Sequence, residues 1–458
     1  MDMFQIEGAR PLQGTVRISG SKNACLPLLT AALLSSETTI LEDVPDLRDI
    51  REMRKLIEHL GAKVTFQDGR MEIDPRDMSV DSVPYDIMRK MRASFYAMGP
   101  MLARHGKAKV SLPGGCAIGD RPVDIHLRGF RALGVQMARS QGYVHARAKD
   151  GLLGSRMSLM GPAGTSVGAT CNVLMAATLA KGLTVIDDAA REPEVVELCE
   201  FLISMGAKID GHGTSTIRIE GVEKLSGTTW KVSFDRIEAA TFAVAALVTH
   251  GDITMLNVNG EDMAACNKAL EQWGAELTWI QPTMLRVRRN KQPKKPLAIV
   301  TEPFPGFPTD AQSQFTVLLA LTPGESSIRD TIYPERFMHV PELKRLGAKI
   351  TSPEKGRIEI VGVPALEGAA VMASDLRAGA ALIVAALAAH GTSQVRRIYH
   401  VERGYERIVE KLAALGANIK REKETDVDPG LEASIFGDEV ETTFAASNDE
   451  IPKARSVE

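Results

Sequence analysis

Apolar residues recur at helical spacing in segments such as "IREMRKLIEHLGAKV", where the stripe runs into a glycine and then into β-prone residues. That order predicts an amphipathic helix, a left-handed glycine cap and a following strand. The phrase returns as "EHLGAKV", "RALGVQM", "ISMGAKI", "EQWGAEL", "KRLGAKI" and "AALGANI". Its glycines, Gly61, Gly134, Gly206, Gly274, Gly347 and Gly416, lie 73, 72, 68, 73 and 69 residues apart. A second phrase alternates with the first: an alanine-rich helix, a polar break and a β-rich run, as in "LMAATLAKGLTVIDDA", "FAVAALVTHGDITMLNV" and "LIVAALAAHGTSQVRRI". One unit is therefore two helices interleaved with short strands.

The alanine-rich helices are apolar on most faces and belong in the interior, whereas the charged helices ending in the glycine phrase can face solvent on one side. A period of about 70 residues is longer than solenoid repeats use, and six units exceed what one hydrophobic core usually holds. Two domains of three units each is the economical reading. The halfway point falls near "KVSFDRIEAATF", around residue 235.

Composition narrows the class without naming a function. The 458 residues are 44% hydrophobic and 25% charged, as in an ordinary globular chain. No apolar run reaches membrane-spanning length and no signal-peptide pattern opens the sequence, so the expected location is the cytoplasm, with no membrane partner. Cys25, Cys116, Cys171, Cys199 and Cys266 are scattered, without a CxxC pair, which argues against a disulfide framework and against a metal site. The net charge of −3 hides a split: residues 422–458 hold 11 acidic and 3 basic side chains, a net −8, which leaves residues 1–421 at +5. That body can attract a small anion, but the excess is too dispersed for nucleic acid. The acidic stretch 422–458 reads as a disordered, solubilising appendage.

Three groups of residues carry candidate chemistry. In "RISGSKNACLPLLTAALL" a strand leads through Gly20 and Ser21 into Lys22 and Asn23 at the start of an alanine-rich helix, where an ammonium, an amide and free backbone N–H groups can hold a phosphate or carboxylate. In "PGGCAIGDRPVDIH" the glycines Gly114, Gly115 and Gly119 surround Cys116, followed by Asp120, Arg121, Asp124 and His126. Arg121 and turn amides favour a thiolate and the two aspartates oppose it. These residues leave a working thiol and a small turn residue equally open. The third group is dispersed: Arg92, Asp310 in "FPTDAQSQF", Arg336 in "PERFMH", Asp375 and Arg377 in "SDLRAGAAL", and Arg403 in "ERGYERI". Several guanidinium groups aimed into one cleft would recognise a multiply anionic substrate; singly, each is also explained by a surface ion pair.

Taken in order, these phrases resemble the UDP-N-acetylglucosamine 1-carboxyvinyltransferase family of enolpyruvyl transferases. The resemblance runs from "MDMFQIEGARPLQGTVRISGSKNA" through "MRASFYAMGP", "VSLPGGCAIGDRPVDIH", "SVGAT", "AAREPEVV", "FPTDAQSQF", "ERFMHVPEL" and "SDLRAGAAL" to "RIYHVERGYERI", about residues 1–421. It implies an α/β fold, a two-domain inside-out α/β barrel of six βαβαββ repeats, three per domain. Residues 22–234 would form the first domain, and 1–21 with 235–421 the second. The implied reaction is transfer of enolpyruvyl from phosphoenolpyruvate to the 3-hydroxyl of UDP-N-acetylglucosamine, releasing phosphate, at the start of peptidoglycan precursor synthesis. Both substrates are small molecules, and no cofactor or metal is expected beyond a covalent phosphoenolpyruvate adduct on Cys116.

The resemblance also assigns roles. It makes Cys116 the proton donor, Asp310 the base near the sugar hydroxyl, and Lys22, Asn23, Arg121, Arg336 and Arg403 the phosphoenolpyruvate site, with Lys22 and Arg403 also catalytic. It implicates Arg92, Arg121, Pro122, Val123, Asp124, Ile125, Gly164, Thr165, Ser166, Val167, Asp310 and Ile332 in binding the sugar nucleotide, with Asp375 and Arg377 in support. Where many members carry a lysine shortly before "SVGAT", this chain reads "GPAGTSVGAT". The related enzymes that act on shikimate 3-phosphate lack the cysteine loop.

Overall fold

The computed structural model describes residues 2–112, 123–289 and 294–423. All six repeated glycines have positive φ, between 85° at Gly134 and 107° at Gly61 and Gly274. At five of them the helix ends in a Schellman pair: in the first, Ala62 N donates to Ile57 O at 3.1 Å and Gly61 N to Glu58 O at 3.0 Å, and the same two bonds close the helices before Gly134, Gly206, Gly347 and Gly416. An L-residue pays to enter that conformation and glycine does not, which is why the period is legible in glycines.

Each repeat builds one four-stranded sheet of the same design. In the first, Thr229–Lys231 runs parallel to Thr39–Glu42, which pairs antiparallel with Arg70–Asp74, and that strand forms a hairpin with Lys63–Gln67. The order recurs in five further sheets. The strand that completes a sheet often comes from far away in sequence: Asp2–Glu7 inserts between Thr392–Arg396 and Asn418–Lys423, and Gln13–Arg17 runs parallel to Asp252–Leu256.

The sheets enclose two hydrophobic cores. One gathers buried residues from Ala24 to Val232; the other joins Phe4–Ile18 to Phe234–Ile419. At the centre of the second stand the helices Arg236–Val248, Gln312–Ala320 and Leu376–Ala388, packed on one another, and every residue of Gln312–Ala320 is buried. Alanine-rich Arg236–Val248 and Leu376–Ala388 pack closely here, whereas Gln312–Ala320 buries Gln312, Ser313, Gln314 and Thr316 among its apolar residues. Outer helices such as Arg48–His59 bury one stripe: Asp49, Ile50, Met53, Leu56 and Ile57.

Two antiparallel segments connect the cores. Ser21 N donates to Ser233 O at 2.6 Å, Asp235 N donates to Ser19 O at 2.9 Å, and Gly20 pairs with Phe234. A Cβ on Gly20 would lie 2.0 Å from the Asp43 carbonyl oxygen, so no other residue fits the crossing without backbone movement. Among the described residues no helix is long and apolar enough to cross a membrane.

Candidate active site

Side chains implicated from sequence cluster at helix N-termini. Lys22 and Asn23 open Lys22–Ala31, which Ser21 caps by accepting from Ala24 N at 3.2 Å. Asp310 lies in the turn leading into Gln312–Ala320. Arg377 is in the first turn of Leu376–Ala388, and Asp375 caps that helix by accepting from Arg377 N at 2.9 Å and Ala378 N at 3.1 Å. The unsatisfied N–H groups of such ends favour anions. Asp235 joins two of them, capping Arg236–Val248 while its Oδ2 accepts from Lys22 N at 3.3 Å.

The charged side chains meet in two linked groups. Asp310 Oδ1 accepts from Arg336 Nη1 at 2.6 Å, and its Oδ2 accepts from Arg377 Nη2 at 3.0 Å and Nε at 3.3 Å. Arg336 and Arg377 are nearly fully buried, with side chains 7% and 3% exposed. Burial by itself would raise the Asp310 pKa, but the two guanidinium groups prevail and hold it well below the usual carboxylate range. In the second group Asp49 Oδ1 accepts from Arg403 Nε at 2.8 Å, and Asp49 Oδ2 lies 3.7 Å from Lys22 Nζ. Asp49 and Lys22 belong to the first core and Arg403 to the second, so this carboxylate ties cations across the junction. Burial lowers the Lys22 pKa, Asp49 and Asp310 oppose that, and Arg377 and Arg403 add to it. The two groups therefore share one electrostatic neighbourhood.

The residues implicated in the sugar nucleotide sit as follows. Arg92 is half-buried at the start of the 3-10 turn Arg92–Ala97, near the buried His126. Burial, with Arg92 adding to it, lowers the His126 pKa to about 3. Asn172 Nδ2 donates to His126 Nδ1 at 3.2 Å, leaving the proton of the neutral ring on Nε2. Val123 is in the core and Asp124 is exposed in the first turn of Asp124–Ala132. Ile125 supports the small hairpin Met160–Gly161/Gly164–Thr165, where a Cβ on Gly161 would lie 2.5 Å from Ile125 Cδ1. Ser166 caps Val167–Ala177, accepting from Ala169 N at 3.3 Å. Ile332 N donates to Asp330 Oδ1 at 3.0 Å. Cys116, Arg121 and Pro122 lie outside the described residues, as does the stretch 424–458. The other four cysteines are buried, and burial pushes the thiols of Cys199 and Cys266 up to about 12, so they are inert. No cluster of three or more metal-ligating side chains occurs among the described residues.

Sequence reasoning missed Asp49, Asp330 and Asp235. Asp330, 1% exposed, accepts from Thr301 Oγ1, from Ile332 and Tyr333 N, and from Thr309 Oγ1, whose hydroxyl in turn accepts from Arg336 Nη1 at 3.2 Å. It thus ties the turn at Ile332 to the residue before Asp310. Asp49 left a trace: it falls on the apolar stripe of its helix, and acids are almost never fully buried unless paired.

Known proteins resemble this chain over most of its length. The family described as EPSP synthase (3-phosphoshikimate 1-carboxyvinyltransferase) matches residues 6–412. The UDP-N-acetylglucosamine 1-carboxyvinyltransferase of Finegoldia magna is 48% identical over 423 residues, which is 92% of this chain and 99% of that one. The enzyme of the same name from Dinoroseobacter shibae is 49% identical over 427 residues, 93% of this chain and 100% of its own length. The chain belongs to the UDP-N-acetylglucosamine 1-carboxyvinyltransferase family of enolpyruvyl transferases. Two solved structures share its fold. The enolpyruvyl transferase NikO from Streptomyces tendae has a TM-score of 0.83 at 23% identity, covering 93% of this chain and 99% of that one. EPSP synthase from Acinetobacter baumannii has a TM-score of 0.71 at 18% identity, covering 92% and 100%. The expected two-domain inside-out α/β architecture is the fold of this enolpyruvyl transferase.

Proposed function

We propose that this enzyme moves the enolpyruvyl group of phosphoenolpyruvate to the 3-hydroxyl of UDP-N-acetylglucosamine and releases phosphate, the step that commits the sugar nucleotide to peptidoglycan precursors. The observation that carries the reading is 48% identity over 92% of the chain with full-length relatives of that name. In the addition step the sugar oxygen bonds to C2 of phosphoenolpyruvate, the hydroxyl proton passes to a base, and the methylene carbon takes a proton from an acid. In the elimination step the new methyl group returns a proton, the double bond re-forms, and the bond from C2 to the phosphate oxygen breaks.

Asp310 is the base in this reading and Cys116 the acid. Lys22, Asn23, Arg121, Arg336 and Arg403 hold the phosphate and carboxylate. Arg92, Val123–Ile125 with Arg121 and Pro122, Gly164–Val167 and Ile332 take the sugar nucleotide; Val123, being in the core, and Ser166, its hydroxyl spent on a cap, contribute through backbone. The reaction consumes no cofactor; a phosphoenolpyruvate adduct on Cys116 lies outside these two steps, in which Cys116 acts only as the acid.

The ion pairs at Asp310 support an order of events. With both guanidinium groups on it, Asp310 is a carboxylate at neutral pH but a weak base. An arriving phosphate or carboxylate competes for Arg336, and each guanidinium drawn to the substrate raises the proton affinity of Asp310. Substrate binding thereby prepares the base. Because the matching family description itself names the 3-phosphoshikimate reaction, the test carries both acceptors. Phosphate release is measured with phosphoenolpyruvate plus either UDP-N-acetylglucosamine or shikimate 3-phosphate. Release with the first alone is expected, and release only with the second overturns the proposal.

A further inference from the structure

Tyr405 takes no part in the reaction as written, yet it is 2% exposed and its hydroxyl ties together the three central helices of the second core. Thr241, on Arg236–Val248, donates to Ile237 O at 2.8 Å, and its oxygen lies 2.9 Å from the Tyr405 phenol oxygen, within hydrogen-bond distance. The side-chain amide of Gln314, on Gln312–Ala320, lies 3.0 Å from the same phenol oxygen. On the side of Leu376–Ala388, Arg377 Nη1 donates to that oxygen at 3.2 Å, and the guanidinium carbon lies 5.6 Å from the centre of the Tyr405 ring. Burial pushes the phenol above its ordinary pKa, so it stays neutral and serves as both donor and acceptor.

An arginine has five donors in a rigid fork, and which edge meets a carboxylate depends on what holds the others. Here Nη1 is tied back to Tyr405, and the opposite edge, Nε and Nη2, meets Asp310 Oδ2. Ser313 Oγ donates to the Arg377 carbonyl at 3.1 Å, fixing the backbone from the other side. We propose that Tyr405 is a positioning residue: by holding Nη1 it turns the Nε–Nη2 edge of Arg377 onto Asp310 and sets the contact from which the sugar-hydroxyl base works. This rests on the reading of Asp310 as the base.

The test is Tyr405→Phe in the full chain, which keeps the ring and removes only the hydroxyl. Thr241→Val, which removes the hydroxyl that meets the phenol, is the second variant. With Tyr405→Phe, kcat falls about tenfold because the carboxylate, though more basic once Arg377 slackens, is no longer held in line with the sugar hydroxyl, while KM for both substrates stays within about twofold. The acid limb of the kcat profile moves to higher pH as Arg377 slackens its hold on Asp310. A role confined to packing would lower the melting temperature and leave that limb in place. Crystal structures of the two variants read the geometry independently of turnover: Arg377 Nη2 is expected to leave hydrogen-bond distance of Asp310 in Tyr405→Phe and to loosen in Thr241→Val. Wild-type turnover with UDP-N-acetylglucosamine tests the functional reading separately. Arg377 remaining on Asp310 in both variants, or an unmoved acid limb in an active Tyr405→Phe, overturns the proposal.

Discussion

Replacing Asp310 by asparagine keeps the shape of the side chain and removes its charge. Two guanidinium groups that face the carboxylate at 2.6 and 3.0 Å, on side chains 7% and 3% exposed, then lose their counter-ion. Breaking a buried pair by removing one partner costs about 3–5 kcal/mol; Asp310 is itself 27% exposed, so the lower end applies, roughly 3 kcal/mol. At about 1 °C per kcal/mol for a chain of this size, the melting temperature should drop by about 3 °C. The folded pKa of Asp310 lies below its unfolded value, so its stabilisation is fully present above the unfolded pKa and is lost as pH falls towards the folded one. The gap between wild type and variant should therefore be constant near neutrality and shrink only in acid. Turnover should fall by about 10²–10⁴-fold, the usual contribution of a general base. Differential scanning calorimetry at neutral and acid pH, beside phosphate-release kinetics, reads both effects. A variant as stable as wild type at neutral pH would refute the electrostatic reasoning, and near-normal turnover would refute the role as base.

Three further outcomes are expected. Asp49→Asn removes one of the charges that support the Lys22 ammonium, so the alkaline limb in the pH profile of KM for phosphoenolpyruvate should move to lower pH; an unmoved limb contradicts the assignment. Cys116→Ala should abolish turnover while calorimetric binding of UDP-N-acetylglucosamine persists; a fully active variant rules out the proton-donor role. Gly20→Ala places a Cβ about 2.0 Å from Asp43 O and should destabilise the chain by about 1–3 kcal/mol in urea unfolding; unchanged stability would mean the crossing relaxes freely.

The sequence alone determined the repeat, the alternation of buried and half-exposed helices, and the positions of the caps. All three are local: a left-handed turn calls for glycine, an interior helix for small apolar residues, and neither needs a distant partner to be read. The family phrases placed Lys22, Asp310, Arg336, Arg377 and Arg403 among the candidates. Only the tertiary structure decided how these groups pair. Asp49 was legible as an acid on an apolar stripe, but its partners, Lys22 and Arg403, come from opposite ends of the chain. Asp375, a paired charge by its phrase, spends its carboxylate on a helix cap. The resemblance makes Asp310 the base, and the fold sets two buried guanidinium groups on it that hold its pKa down. The reason is physical. Ionisation and hydrogen bonding depend on separations of a few ångströms and on burial, which the order of residues leaves open until strands and helices from both ends of the chain close around them.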